Sequence, residues 1–425
     1  MKVTDDRRCI AITWVVGLLL GLLMSACPAT ANVILTGPVE PLRLSGELGF
    51  LDDESSTMDL AQVLEAARDG RFKRLPGTLG RGYTRATSWL TFDLVNASET
   101  PMRPLLRMAP QMLDHVDVYV QHQDEDPGFP GAYSLTRLGD HIPAAQKPEP
   151  YPVMALPIPL AEGESKRVYI RVKTTSSHLL EADLVSGPRY VHDAVRSMLW
   201  LSAYAALAFG FALVTLLQAF RLRDLTHGLY GLLPLGLCLN SVGTDNITAL
   251  ILPGLSYLIN DWVVSVSVCL AFGGLGLFAM RQFDTVPLHR CGHRYLPLLV
   301  VVLSVLTMLA SGSAWYGRFA GPLMTLGMGY WLFLTWAGVT MIRRGDVLLG
   351  RLFLLAFTVP LCGAAVGLGR YLGFFPQDQF TQYIVPVTSL IHMIFMALSL
   401  TERLRLAERR ARAAIERVAI ETEHR

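Results

Sequence analysis

Between Ser197 and Thr401 the sequence carries seven long apolar segments, separated by short polar loops. They read as spans at 197–220, 227–248, 257–280, 295–312, 319–341, 349–371 and 381–401. Each approaches the ~20 residues that a helix needs to cross the hydrocarbon of a bilayer. No water is available there to satisfy backbone polar groups, so segments of this kind are committed to helix. With 52% hydrophobic and only 17% charged residues, the 425-residue chain is not an average soluble protein. The formal net charge of +2 carries no argument about nucleic acid, and no nucleic-acid partner is expected.

The N-terminus has the form of a secretory signal. Lys2, Arg7 and Arg8 precede an apolar run from Ile10 to Leu23. Ala29-Thr30-Ala31 is a small-residue cleavage site, which predicts cleavage after Ala31 and a mature chain starting at Asn32. An uncleaved anchor is the alternative. A lipoprotein site at Cys27 is disfavoured, because Met24 stands where a branched aliphatic residue belongs. Of the six cysteines none falls between Asn32 and Arg196, so that exported stretch must be held by its own core and not by disulfides.

Basic residues orient the spans. The loops at 221–226, 281–294 and 343–350 hold Arg221, Arg223, Arg281, Arg290, Arg294, Arg343 and Arg344, whereas the other side has Arg318 and Arg370. This bias places the exported domain outside and the tail from Glu402 in the cytoplasm of an inner (cell) membrane.

The exported stretch alternates with a period of two. Leu90, Phe92 and Leu94, then Val116, Val118 and Val120, then Val168, Ile170 and Val172 each interleave with more polar positions. That pattern puts one sheet face on a core and the other toward solvent. Further strands are expected at 42–45, 103–108, 133–138, 153–160 and 179–185, with one short helix at 59–68. About eight short strands with turns between them predict a β-sandwich of jelly-roll type. Trp89 is expected in the core or at its rim.

Several runs resemble a known family. They are Leu51-Asp52-Asp53-Glu54, Trp89 to Asn96, Leu113 to Tyr119, Pro157 to Leu160, the turn Glu162 to Ser165, and Val168 to Val172. Together they resemble the 7TMR-DISM family, seven-transmembrane receptors with diverse intracellular signalling modules, in the form with a type 2 periplasmic domain. The resemblance implies an exported all-β jelly-roll sensor for carbohydrates or related small molecules. An α-helical seven-transmembrane bundle and a short cytoplasmic helix follow. The corresponding division is 1–31, signal; 32–192, sensor; 193–401, bundle; 402–425, tail.

On the outward strand faces, Asp117, Tyr119 and Arg171 are the candidate ligand residues. An aromatic face stacks on a sugar ring, and carboxylate and guanidinium groups bond its hydroxyls. A solvated sheet face is the rival reading. In the bundle, the absence of lysine after Lys173 excludes a retinal Schiff base, and no H-E-x-x-H motif supports a zinc protease. His392 lies well inside the last span and is a relay candidate. Relatives often carry an acidic residue there, so this chain departs from them, and a histidine bonded between helices is the alternative. His289, Cys291 and His293 do not form a recognised zinc pattern, and no metal or cofactor is expected. Gly273, Gly274 and Gly276 point to close helix packing.

Leu400, Leu404, Ala407, Ala411, Ala414 and Val418 follow a heptad-like spacing. They predict a helix running on from the seventh span as a short coiled coil, and so a homodimer through the tail. An arginine-rich helix lying on anionic lipid is the rival. No catalytic motif is visible. The expected function is a receptor that senses a periplasmic ligand and relays it through the seven helices to the tail, which pairs with itself or with a separate cytoplasmic partner such as a kinase or cyclase. The alternatives are a carbohydrate or envelope-component transport protein, or the sensor part of a kinase or diguanylate cyclase.

Overall fold

The computed structural model describes residues 32–423, apart from 124, 144–145, 150–152, 246, 249–256, 284–291, 372–374 and 376–378. The signal segment and Ala31 lie outside the described residues, as do His289 and Cys291.

Two sheets form the N-terminal domain. The first runs in the spatial order β4 (Lys73–Arg74), β3 (Gly49–Asp53), β6 (Thr87–Asn96), β11 (Ser165–Lys173), β8 (His115–Gln121) and β9 (Tyr133–Leu138). β1 (Asn32–Leu35) lies parallel to the far half of β6, beyond the stretch that pairs with β3. The second sheet runs β10 (Met154–Pro157), β7 (Leu105–Ala109), β12 (His178–Val185) and β2 (Leu42–Arg43), with β5 (Leu79–Gly82) also on β12. The neighbour pairings other than β1–β6 are antiparallel.

The alternation in the sequence sets the register. Ile170 lies opposite Leu90 on one side and Val118 on the other, and Val168 lies opposite Phe92 and Val120. These side chains meet Leu106, Met108, Leu180 and Leu184 of the second sheet in one buried core. The described strands number twelve, more than the alternating runs suggested, because β1 and β3 to β5 are short or pack at sheet edges.

The other face of the first sheet is covered over part of its area, which narrows the expectation from the two-residue period: His115 and Lys173 stay exposed, whereas Trp89 and Tyr169 are buried. Helix α1 (Leu60–Arg68) lies over it. Asp59 caps α1 by accepting from the Gln62 amide at 2.9 Å, and Gln62 Oε1 accepts from the Asp59 amide at 3.1 Å. Such reciprocal capping stabilises a short helix by about 1 kcal/mol. Val63 and Leu64 then pack with Leu51, Phe72, Tyr133 and Tyr169 around Trp89, which is fully buried. Truncating Trp89 to alanine would cost roughly 3–5 kcal/mol.

The helical part begins without a break in the chain. Helix α2 (Gly187–Leu222) starts two residues after β12 and crosses the 192/193 division expected between sensor and bundle. It is followed by α3 (Leu225–Thr244), α4 (Tyr257–Val268), a π-helical turn (Cys269–Gly273), α5 (Gly274–Phe283), α6 (Gly292–Leu309), α7 (Tyr316–Arg343), α8 (Val347–Tyr371) and α9 (Gln379–Glu423). Among the described residues, five helices are long and apolar enough to cross a membrane, and a shorter apolar helix spans Tyr295–Leu309. The π-helical turn fits against Gly236: a Cβ there would stand 2.6 Å from both the Ala271 nitrogen and the Ser267 carbonyl oxygen. Gly274 likewise packs tightly, against Leu232, and Gly276 against Pro297. α9 is unbroken from the bundle into the tail, where Ala407, Ala411 and Ala414 are exposed.

The sandwich sits on one end of the bundle. The Tyr83 ring meets Tyr316 edge-on at 6.1 Å, and Arg85 donates to the Ala314 carbonyl at 3.3 Å.

Candidate functional site

A cleft of about 480 Å³ opens where the second sheet, the start of α2 and the start of α9 meet. That volume is in the range of small-molecule sites. Its walls carry four arginines (Arg43, Arg107, Arg189, Arg196) and three acids (Glu181, Asp183, Asp193), with Tyr190 and Tyr383.

Alternation along β7 and β12 places Arg107 and Asp183 opposite each other on the face that does not enter the core. Arg107 binds Asp183 with two parallel bonds, Nε to Oδ1 at 2.9 Å and Nη2 to Oδ2 at 2.5 Å. Its remaining Nη1 donates to Asp193 of α2 at 3.1 Å, and Arg189 Nε donates to the same carboxylate oxygen at 3.1 Å. Burial opposes ionisation of Asp193, but Arg189, Arg107 and His192 outweigh it and hold its carboxyl below the usual value. The sheet is thus tied to the first long helix by a charge-assisted chain. Tyr190 anchors the same turn from below, donating to the Val153 carbonyl at 3.1 Å.

Arg43 and Arg196 are exposed and make no ion pair among the described residues, so two guanidinium groups remain free to face a ligand. Paired donors of that type suit carboxylate, phosphate or vicinal hydroxyl groups. Tyr383 belongs to α9, so an occupant of the cleft touches both α2 and the helix that continues to Glu423.

The residues singled out in the sequence stand elsewhere. Asp117, Tyr119 and Arg171 are brought together on the covered face of the first sheet. Arg171 donates to Asp117 at 3.0 Å and lies over the Trp89 ring at 5.9 Å, on which Tyr119 stacks at 5.7 Å. Arg171 and Asp117 pair with each other beside the second core, and none of the three residues lines the cleft. His392 is fully buried and ringed by Phe357, Trp331 and Tyr230 at 5.1, 5.5 and 6.0 Å. Its Nδ1–H donates to the Ala356 carbonyl at 2.6 Å. At the other end of the bundle Arg403 approaches Asp224 at 4.0 Å, a carboxylate that also binds His227 at 2.8 Å. Sequence reasoning missed the cleft. Arginine and aspartate at alternating positions of neighbouring strands were the available signal.

Two family models cover most of the chain. The one described as 7TMR-DISM extracellular 2 matches residues 45–186, and the one described as 7TM diverse intracellular signalling matches residues 196–403. The chain belongs to the 7TMR-DISM family. It is therefore a membrane protein of receptor character, with an extracellular sandwich ahead of its transmembrane helices. No curated protein matches it. In this 7TMR-DISM protein the cleft lies at the junction of the two matched regions.

Proposed function

We propose that this chain is a transmembrane receptor that binds a small polar ligand, a carbohydrate or a related acidic molecule, in the cleft between sheet and helices. The observation that carries the reading is the lining itself: β-sheet residues, the first turns of α2 and Tyr383 of α9 share one cavity. A ligand can bias a helix arrangement only if it binds one arrangement better than the other. A cavity lined by both units changes shape when they move, which supports such a difference in affinity. The sandwich faces the periplasm, the tail after Thr401 is cytoplasmic, and the signal leaves through α9 to a paired tail or a separate signalling protein. The chain is not itself an enzyme in this reading.

The test uses the purified chain in nanodiscs. Thermal shift against a panel of neutral, amino and acidic sugars identifies a ligand, and an Ala411→Cys pair reports tail proximity by cross-linking. A binder that changes cross-linking, and whose effect is lost in Arg43→Ala and Arg196→Ala, supports the receptor. Ligand uptake into proteoliposomes with unchanged cross-linking would establish transport instead. Binding lost in Tyr119→Ala but kept in the arginine variants would move the site to the face of Asp117, Tyr119 and Arg171.

A further inference from the structure

Two loops close on each other where the sandwich rests on the bundle. The Asp140 amide donates to the Leu113 carbonyl at 2.9 Å, and the His141 amide to the Asp114 carbonyl at 3.3 Å. Gly139 permits this approach, with φ at +116° and no side chain: a Cβ there would lie 2.3 Å from the Asp114 carbonyl oxygen. As a result one ligand atom from each of Asp114, Asp140 and His141 lies within 4.8 Å of the other two.

The two carboxylates are held differently. Asp114 is fully oriented, with Oδ1 accepting from the Thr174 hydroxyl at 2.7 Å and Oδ2 from the Thr175 amide and hydroxyl at 2.8 and 2.9 Å. Asp140 has only 5% of its side chain exposed, and its Oδ1 is sealed from water and accepts no hydrogen bond. The His141 Nε2 stands 3.9 Å from that oxygen, beyond hydrogen-bond reach. From the bundle, Asp261 of α4 brings Oδ2 to 3.6 Å from the same imidazole nitrogen. Asp140 and Asp261 also line one small cavity of about 30 Å³, together with Ser265, Ser311 and Tyr316. Three carboxylates thus converge on one imidazole, and the buried Asp140 Oδ1 among them has no hydrogen-bond partner, an arrangement that a cation would complete.

We propose that Asp114, Asp140 and His141 bind one divalent cation of mixed oxygen and nitrogen preference, Mn²⁺ or Zn²⁺, with Asp261 facing it from the helix bundle. Carboxylates suit Mn²⁺ and an imidazole suits Zn²⁺, and three donors this close can contract around one ion at about 2.0–2.2 Å. The hydrogen bonds that Asp114 receives from Thr174 and Thr175 orient it before an ion arrives. Because Asp261 belongs to α4, occupancy pins the sandwich to the bundle at a point separate from the ligand cleft. The site stands whether or not the cleft binds a sugar.

The test is equilibrium Mn²⁺ binding to the untagged full chain in nanodiscs, read from the electron paramagnetic resonance of free Mn²⁺, with Zn²⁺ as competitor. One Mn²⁺ per chain is expected, displaced by one Zn²⁺. Asp140→Asn and His141→Gln should each weaken binding at least tenfold, while His122→Gln, at an exposed histidine of the same domain, leaves it unchanged. If one of the two cluster variants fails to elute as a monodisperse species, the other decides. No binding of either ion at millimolar concentration, or wild-type affinity in the folded cluster variants, overturns the proposal.

Discussion

His392 completes a hydrogen bond that Pro360 cannot make. In α8 the Ala356 carbonyl would accept from the amide of residue 360, but proline has none, and the His392 imidazole of α9 donates to that carbonyl at 2.6 Å instead. His392→Leu should therefore destabilise the bundle by about 1 kcal/mol, in line with hydrogen bonds between membrane helices. Pro360→Ala in the same background restores an internal donor and should recover much of the loss. A double-mutant cycle on denaturation midpoints measures this coupling. Strict additivity would refute the pairing and leave His392 free for a relay role.

A second histidine predicts how the sandwich responds to acid. His178 is 1% exposed. Its Nε2 lies 3.1 Å from the Thr174 carbonyl, which can only accept, so Nε2 carries the hydrogen and Nδ1 faces the Ser88 hydroxyl at 3.5 Å. Burial favours the neutral ring and lowers its pKa from 6.5. The unfolded chain thus binds a proton more readily than the folded one. Stability from this residue is complete above about pH 6.5 and falls as pH drops toward the folded value, by at most about 1.4 kcal/mol per unit. Hydrogen exchange of the β12 amides between pH 7 and 5 measures it. His178→Gln should flatten the slope.

Which features were legible in the sequence follows from how local they are. β8 and β11 could be read because Val116 to Val120 and Val168 to Val172 repeat every two residues, and the spans because their apolar runs are long. The cover on the first sheet was not legible in that way. Trp89, Tyr119 and Tyr169 sit at outward positions whose fate depends on α1, packed across from another part of the chain. Pro360 leaves the Ala356 carbonyl without a donor inside α8, but the donor that replaces it lies 32 residues from the proline on another helix. The cleft joins Arg43, Arg107, Asp193 and Tyr383, which no local spacing connects.

Helix packing against the π-helical turn gives a steric prediction. Gly236→Ala would press a methyl group onto backbone atoms of Ala271 and Ser267, which cannot rotate away. The expected loss is about 1–3 kcal/mol, the range for overpacked cores. Gly210→Ala is the control, since a Cβ at that position of α2 meets nothing within 4 Å. It should be neutral or stabilising by up to about 1 kcal/mol through helix propensity. Thermal denaturation of both variants in one detergent compares them. Equal midpoints would show that the two helices separate more easily than their contact implies.

Coupling between the sandwich and α2 should depend on Asp193 more than binding does. Arg107 keeps its two bonds to Asp183 when Asp193 is changed, so the sheet wall of the cleft stands. Asp193→Asn removes the charge that Arg107 and Arg189 share across the junction. A partly exposed pair of this kind is worth about 1 kcal/mol or less in stability. The variant should therefore fold, and bind a cleft ligand within a few-fold of wild type. Its ligand-dependent cross-linking at Ala411→Cys should nevertheless shrink, because the sheet no longer pulls on the helix that it touches. Binding and response lost together would place Asp193 in ligand contact. An unchanged response would route the signal through Tyr383 and α9 alone.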